Sequence, residues 1–181
     1  SATMMNKALE VIEAHYLFGM TPERMGVVIH PQSIVHSMVQ YRDASIVAQM
    51  GTPDMRVPIA YGLSWPERIE SGAAALDFAS LSAMTFEAVD QHGHPERFPC
   101  LPLVWQVLQA QPGSTAVLNA ANEVAVASFL DRRIRFDQIY QVNAATLEQS
   151  RFASPQSLDD LLALDQQSRA LANELVTRLQ A

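Results

Sequence analysis

Between Met4 and Leu17, apolar residues return every three or four positions (Met4, Ala8, Leu9, Ile12, Leu17), the period of a helix with one covered face. Gly19 and Pro22 stop the pattern, and Ser1 and Thr3 stand where a hydroxyl can cap the first turn, so a helix is predicted over residues 3–18. The period then shortens. Residues 27–30, 34–41 and 45–50 are β-rich runs; Pro31 closes the first, and Arg42-Asp43-Ala44 reads as a hairpin turn between the other two. Gly51-Thr52-Pro53-Asp54 reads as a tight turn, followed by a short helix ending at Trp65, with Pro58 tolerated in its first turn.

Residues 66–97 hold Pro66, Gly72, Gly93 and Pro95 without sustained periodicity, and read as a connecting segment whose best strand candidate is Met84-Thr85-Phe86. Four amphipathic stretches follow, over 101–110, 114–132, 136–150 and 158–179. Ser114 and Ser157 are the candidate N-caps, and only Ser157 has an acid three positions on, Asp160. Short connections imply antiparallel neighbours in a bundle. The predicted fold class is α+β: a small mixed sheet with flanking helices over 1–65, the connecting segment 66–97, and a C-terminal four-helix bundle over 98–181.

Composition adds limits. Hydrophobic residues make up 49% of the 181, enough for a packed core. The net charge of −7 is spread along the chain and argues against nucleic acid or an anionic membrane as partner. No stretch approaches the roughly 20 apolar residues of a membrane span, and no signal peptide is visible. The single cysteine, Cys100, excludes an internal disulfide and fits a small buried hydrophobe in a reducing compartment. A start at Ser1-Ala2-Thr3 without Met suggests a piece of something longer.

The first helix carries the most suggestive chemistry. Asn6 and Glu10 are four apart and share a face, with Lys7 flanking it. An amide, an ammonium and a carboxylate together suit a phosphorylated, hydroxylated ligand, and a carboxylate can ligate a hard divalent ion. The plainer alternative is a surface ion pair between Lys7 and Glu10, and one carboxylate is an incomplete metal site. His30 and His36, six apart across Pro31, do not form a zinc pair and read as one core and one exposed histidine. Asn119 to Glu123 lie within a helix, where buried amides more often satisfy backbone groups than bind ligands. No dinucleotide fingerprint, Walker motif or nucleophile elbow occurs.

Taken in order, these blocks resemble one family. Ser1-Ala2-Thr3-Met4-Met5-Asn6-Lys7 with Glu10, Ile29 to Val39, Gly51 to Ala60, Leu76-Asp77-Phe78 and Leu118 to Glu123 are similar to the 1-deoxy-D-xylulose 5-phosphate reductoisomerases of non-mevalonate isoprenoid biosynthesis. The resemblance covers the whole chain and implies its C-terminal half: part of a catalytic and dimerisation domain plus the helical domain. It implies conversion of the sugar phosphate to 2-C-methyl-D-erythritol 4-phosphate by rearrangement and NADPH-dependent reduction, with Mg²⁺, Mn²⁺ or Co²⁺, in a cytoplasmic homodimer. Ser1, Asn6, Lys7 and Glu10 match substrate-binding positions, with Lys7 and Glu10 catalytic and Glu10 a metal ligand. Pro53 and Met55 match the nicotinamide side of the site, and His36 a supporting histidine beside it. The NADPH-binding domain and two further acidic ligands would lie outside the chain, leaving it inactive alone. The alternative is a non-catalytic dimerisation or structural module.

Overall fold

The computed structural model describes residues 2–81, 83–90 and 94–180, apart from the side chains of His94 and Pro95. Its elements are α1 (Met5–Phe18), a 3-10 turn (Pro22–Arg24), β1 (Val28–Ile29), β2 (Val35–Gln40), β3 (Ile46–Met50), α2 (Arg56–Ser64), β4 (Glu87–Ala88), α3 (His94–Arg97), α4 (Leu103–Gln109), α5 (Ser114–Leu130), α6 (Gln138–Gln149) and α7 (Leu158–Gln180). The α+β class stands. The chain forms two compact units, Ser1–Gly26 with Gly93–Ala181, and Val27–His92. These boundaries differ from 1–65, 66–97 and 98–181 because α1 packs against α4 and so joins the helical unit.

In the helical unit, α5, α6 and α7 pack on one another and α4 packs on α5. Ala121, Ala125 and Ala172 are fully buried at the centre, between Val124, Ile139, Val142 and Val176. Small side chains let the helix backbones approach, and the branched ones fill the space on either side. Helix ends follow local chemistry. The Ser157 hydroxyl accepts from Asp160 N (3.1 Å) while Asp160 Oδ2 accepts from Ser157 N (3.0 Å), the reciprocal capping box read from the sequence. Ser114 is not the cap of α5: Gly113 holds that position at φ 100°, and the Ser114 hydroxyl donates back to Gln111 O (2.8 Å). A side chain at position 113 would stand 2.8 Å from Leu164 Cδ2, so glycine is required on both steric and backbone grounds. Helix α5 stops at Leu130 because Arg132 turns to φ 59° and Arg133 N returns to Ser128 O (2.8 Å).

The second unit contains two antiparallel two-stranded ladders among the described residues, β1 with β4 and β2 with β3, where one mixed sheet was expected. The hairpin turn is as read: Asp43 Oδ1 accepts from the Ser45 backbone and hydroxyl (3.0 and 2.6 Å), and Ala44 takes φ 66°. The partner strand near residue 85 falls at Glu87–Ala88, not at 84–86, because Gln32 occupies the pairing place of Thr85. Its side chain accepts from Thr85 N (3.2 Å) and donates to Thr85 Oγ1 (3.0 Å), replacing ladder bonds with side-chain bonds. Among the described residues of this unit, Ile34 alone is a buried hydrophobic side chain.

Candidate functional site

Helix α1 has three faces at about 100° per residue. Met5, Ala8 and Val11 are buried. Leu9, Ile12, Glu13 and Tyr16 line an apolar groove of about 530 Å³ with Ala116 and Leu161. Asn6, Lys7 and Glu10 occupy the remaining arc, and line neither this groove nor the cavity of the second unit. Lys7 Nζ and Glu10 Oε2 form an ion pair, with side chains 37% and 54% exposed. Thr3 is not the cap of α1: Met4 holds that position at φ 58° with no side-chain cap bond, and Thr3 Oγ1 accepts from Met5 N (3.3 Å). The three expected residues therefore share one solvent-facing arc in which the cation and the acid engage each other. Ser1 lies outside the described residues.

In the second unit, the hairpin end and the start of α2 enclose a cavity of about 610 Å³. Gly51 N donates to Ile34 O (3.0 Å), which joins the end of β3 to the start of β2, and Thr52 Oγ1 donates to Ala74 O (2.9 Å), which ties the next turn down. The loop is thereby fixed with His36, Pro53 and Met55 lining one cavity. Asp54 is clamped by Arg56: Nε lies 3.0 Å from both carboxylate oxygens, Nη2 is 2.6 Å from Oδ2, and Arg56 N donates to Oδ1 (2.9 Å). The Arg56 guanidinium, then its backbone N–H, hold the Asp54 carboxyl below the usual range, and Asp54 raises the Arg56 guanidinium in turn. At the far side, Arg68 Cζ lies 3.8 Å from the centre of the Tyr61 ring.

Residues 50–171 match the family model for the DXP reductoisomerase C-terminal domain, about two-thirds of the chain. The chain belongs to the DXP reductoisomerase family. A 1-deoxy-D-xylulose 5-phosphate reductoisomerase of Ralstonia nicotianae is 54% identical over 176 residues, covering 97% of this chain and 44% of the relative. One from Pelodictyon phaeoclathratiforme is 52% identical, over 97% of this chain and 45% of the relative. The solved reductoisomerase of Zymomonas mobilis in complex with NADPH superposes with TM-score 0.87 at 48% identity, covering 97% of this chain and 46% of the other. A reductoisomerase in complex with NADPH, fosmidomycin and magnesium gives 0.86 at 39%, covering 99% of this chain and 45% of the other. The chain thus spans under half the length of the reductoisomerases it matches.

In this chain the structure gathers the expected residues into two groups, Asn6, Lys7 and Glu10 on α1, and His36, Pro53 and Met55 around the cavity. His30 is half-buried: its Nδ1 lies 2.8 Å from Thr85 O, its ring stacks on Phe86 at 4.8 Å, and its Nε2 is buried without a partner. The Asn119 amide bonds a side chain and not the backbone group expected of a buried amide: it donates to Glu123 (3.2 Å), and Glu123 ties α5 to Arg169 of α7 (2.6 Å). Asn143, fully buried, donates to Asn122 Oδ1 (3.3 Å), and burial pushes the neighbouring Cys100 thiol up to about 11, which leaves it unreactive. Sequence reasoning missed the Asp54–Arg56 clamp and the Tyr61–Arg68 stack. The first is signalled by an acid and an arginine two apart across a turn; the second depends on the turn after α2 and has no periodic signature.

The clamp gives a pH expectation. A folded-state pKa below the unfolded value means that the contribution of Asp54 is present above the ordinary carboxylate range and is lost as pH falls through the lowered value. Following the Asp54 side-chain carbonyl by carbon NMR should give a midpoint below about 3.9, the ordinary Asp value. A midpoint at or above that value contradicts the clamp.

Proposed function

We propose that this chain supplies part of the substrate and metal site of a cytoplasmic enzyme that converts 1-deoxy-D-xylulose 5-phosphate to 2-C-methyl-D-erythritol 4-phosphate by rearrangement followed by NADPH-dependent reduction. The supporting observation is that Asn6, Lys7 and Glu10 share the one arc of α1 that neither the core nor the apolar groove uses. The Lys7 ammonium is a point charge for phosphate, and the Asn6 amide and Ser1 hydroxyl suit its oxygens and the sugar hydroxyls. Substrate phosphate competes with Glu10 for Lys7, so binding it frees the Glu10 carboxylate as an oxygen donor for Mg²⁺, Mn²⁺ or Co²⁺.

Glu10 suits a hard divalent ion, but among the described residues no group of three or more His, Cys, Asp or Glu could hold one. On this reading the remaining ligands and the NADPH-binding domain are supplied from beyond the described residues. When bound, the ion supplies Lewis-acid polarisation of the substrate oxygens. This chain's own part is to anchor the phosphate, so that remote binding energy orients the reacting carbons. Pro53 and Met55 give the cavity an apolar wall suited to a flat nicotinamide, and His36 stands beside it to support that wall.

A second reading, compatible with the first, is that the hairpin is an assembly surface. Val39 and Val47 are paired across β2 and β3 and are 54% and 60% exposed, in a unit with one buried hydrophobic residue among those described. A unit with so small a core needs a cover, and a second copy of the chain supplies one.

Two measurements test these readings. The 181-residue chain should show no substrate-dependent NADPH oxidation with Mg²⁺, while a polypeptide of the relatives' full length should; there, Lys7→Ala should weaken substrate binding by about 2 kcal/mol, roughly thirtyfold. Turnover by the short chain, or an unchanged KM in Lys7→Ala, contradicts the first reading. Light scattering should give the mass of two chains, and of one for Val47→Lys; a monomeric parent contradicts the second.

A further inference from the structure

Among the described residues, one cation lining the cavity of the second unit, Arg68, has no ion-pair partner. Asp54 is already bound in two-point fashion to Arg56. Among the described residues Arg68 makes no ion pair or hydrogen bond, and its contact there is with the face of Tyr61. The turn after α2 fixes this geometry. Glu67 N donates to Ser64 O (2.8 Å), the Ser64 hydroxyl donates to Glu67 O (2.9 Å), and Trp65 sets its ring edge-on to Tyr61 at 5.6 Å. Stacking occupies the flat face of the guanidinium and leaves its N–H edge, the part that meets phosphate in two-point fashion, free in the cavity. The ring also lowers the entropy lost when the side chain is ordered by a ligand.

We infer that Arg68, held by Tyr61, is an anion-binding residue of this cavity, and that the cavity takes a phosphate-bearing ligand. Of the two charged residues lining the cavity, Asp54 is engaged by Arg56, so in a chain of net charge −7 the attraction for an anion is local to Arg68 and does not arise from the surface as a whole. The phosphate could belong to a sugar phosphate or to a nicotinamide nucleotide, since the same N–H edge recognises both. The site adds a contact to the cavity assigned above to the nicotinamide side, and binding is measured without turnover, so the inference can fail while that reading stands.

The test is a titration of the 181-residue chain carrying Lys7→Ala, which removes the phosphate-binding cation of α1, at constant ionic strength. Inorganic phosphate and nicotinamide mononucleotide are the probes, followed by calorimetry and by the side-chain Nε–H signal of Arg68. Saturable binding of phosphate that shifts this signal is expected. Affinity should fall about tenfold in Arg68→Ala and be partly kept in Arg68→Lys, which retains charge but not the fork. Tighter binding of the mononucleotide than of phosphate identifies a nucleotide as the source, and equal or weaker binding identifies a sugar phosphate. Absence of saturable binding, a stationary Arg68 signal, or unchanged affinity in a folded Arg68→Ala chain overturns the inference.

Discussion

The burial of one face of α1 decides what its other faces can do. Met5, Ala8 and Val11 are 2%, 0% and 7% exposed. Removing a Met or Val side chain from water is worth roughly 1.5–3 kcal/mol each. The half-exposed pair of Lys7 and Glu10 is worth at most about 1 kcal/mol. The apolar face therefore sets the rotation of the helix, and the ion pair follows from it. Because the pair carries so little of the fold, a ligand can separate Lys7 from Glu10 without loosening the helix. The polar arc of α1 is thus available for binding while its opposite side remains fixed.

The second unit achieves a fixed loop by different means. With Ile34 its one buried hydrophobic side chain among the described residues, it relies on polar ties. Gly51 to Ile34, Thr52 to Ala74 and Asp54 to Arg56 hold the turn through three hydrogen-bonded points. Such ties orient Pro53 and Met55 but stabilise little at an exposed surface. A unit built this way has its loop geometry set by polar ties and not by a hydrophobic core.

Periodic features were legible in the sequence and side-chain-driven ones were not. The apolar repeats located α1 and the four C-terminal helices, and the Ser157–Asp160 spacing gave a capping box that the structure contains. The shared face of Asn6, Lys7 and Glu10 followed from helical spacing alone. The errors have local causes. Gly113 displaced Ser114 as cap because the facing Leu164, Phe152 and Pro155 leave no room for a side chain there. Gln32 replaced a backbone partner at Thr85 and moved the strand to Glu87–Ala88. The place of α1 depends on a contact with α4 nearly a hundred residues away, which no window of sequence contains. The roles of individual residues came from the family resemblance, because spacing alone fits a surface ion pair equally well.

The most direct test of the central claim, that the polar arc of α1 serves a ligand and not the fold, is manganese binding by electron paramagnetic resonance on a polypeptide of the relatives' full length. With Glu10→Gln, Mn²⁺ affinity should fall by at least about tenfold, while the unfolding free energy changes by less than about 1 kcal/mol. Unchanged Mn²⁺ affinity, or a loss of stability as large as that of a buried residue, would contradict the account.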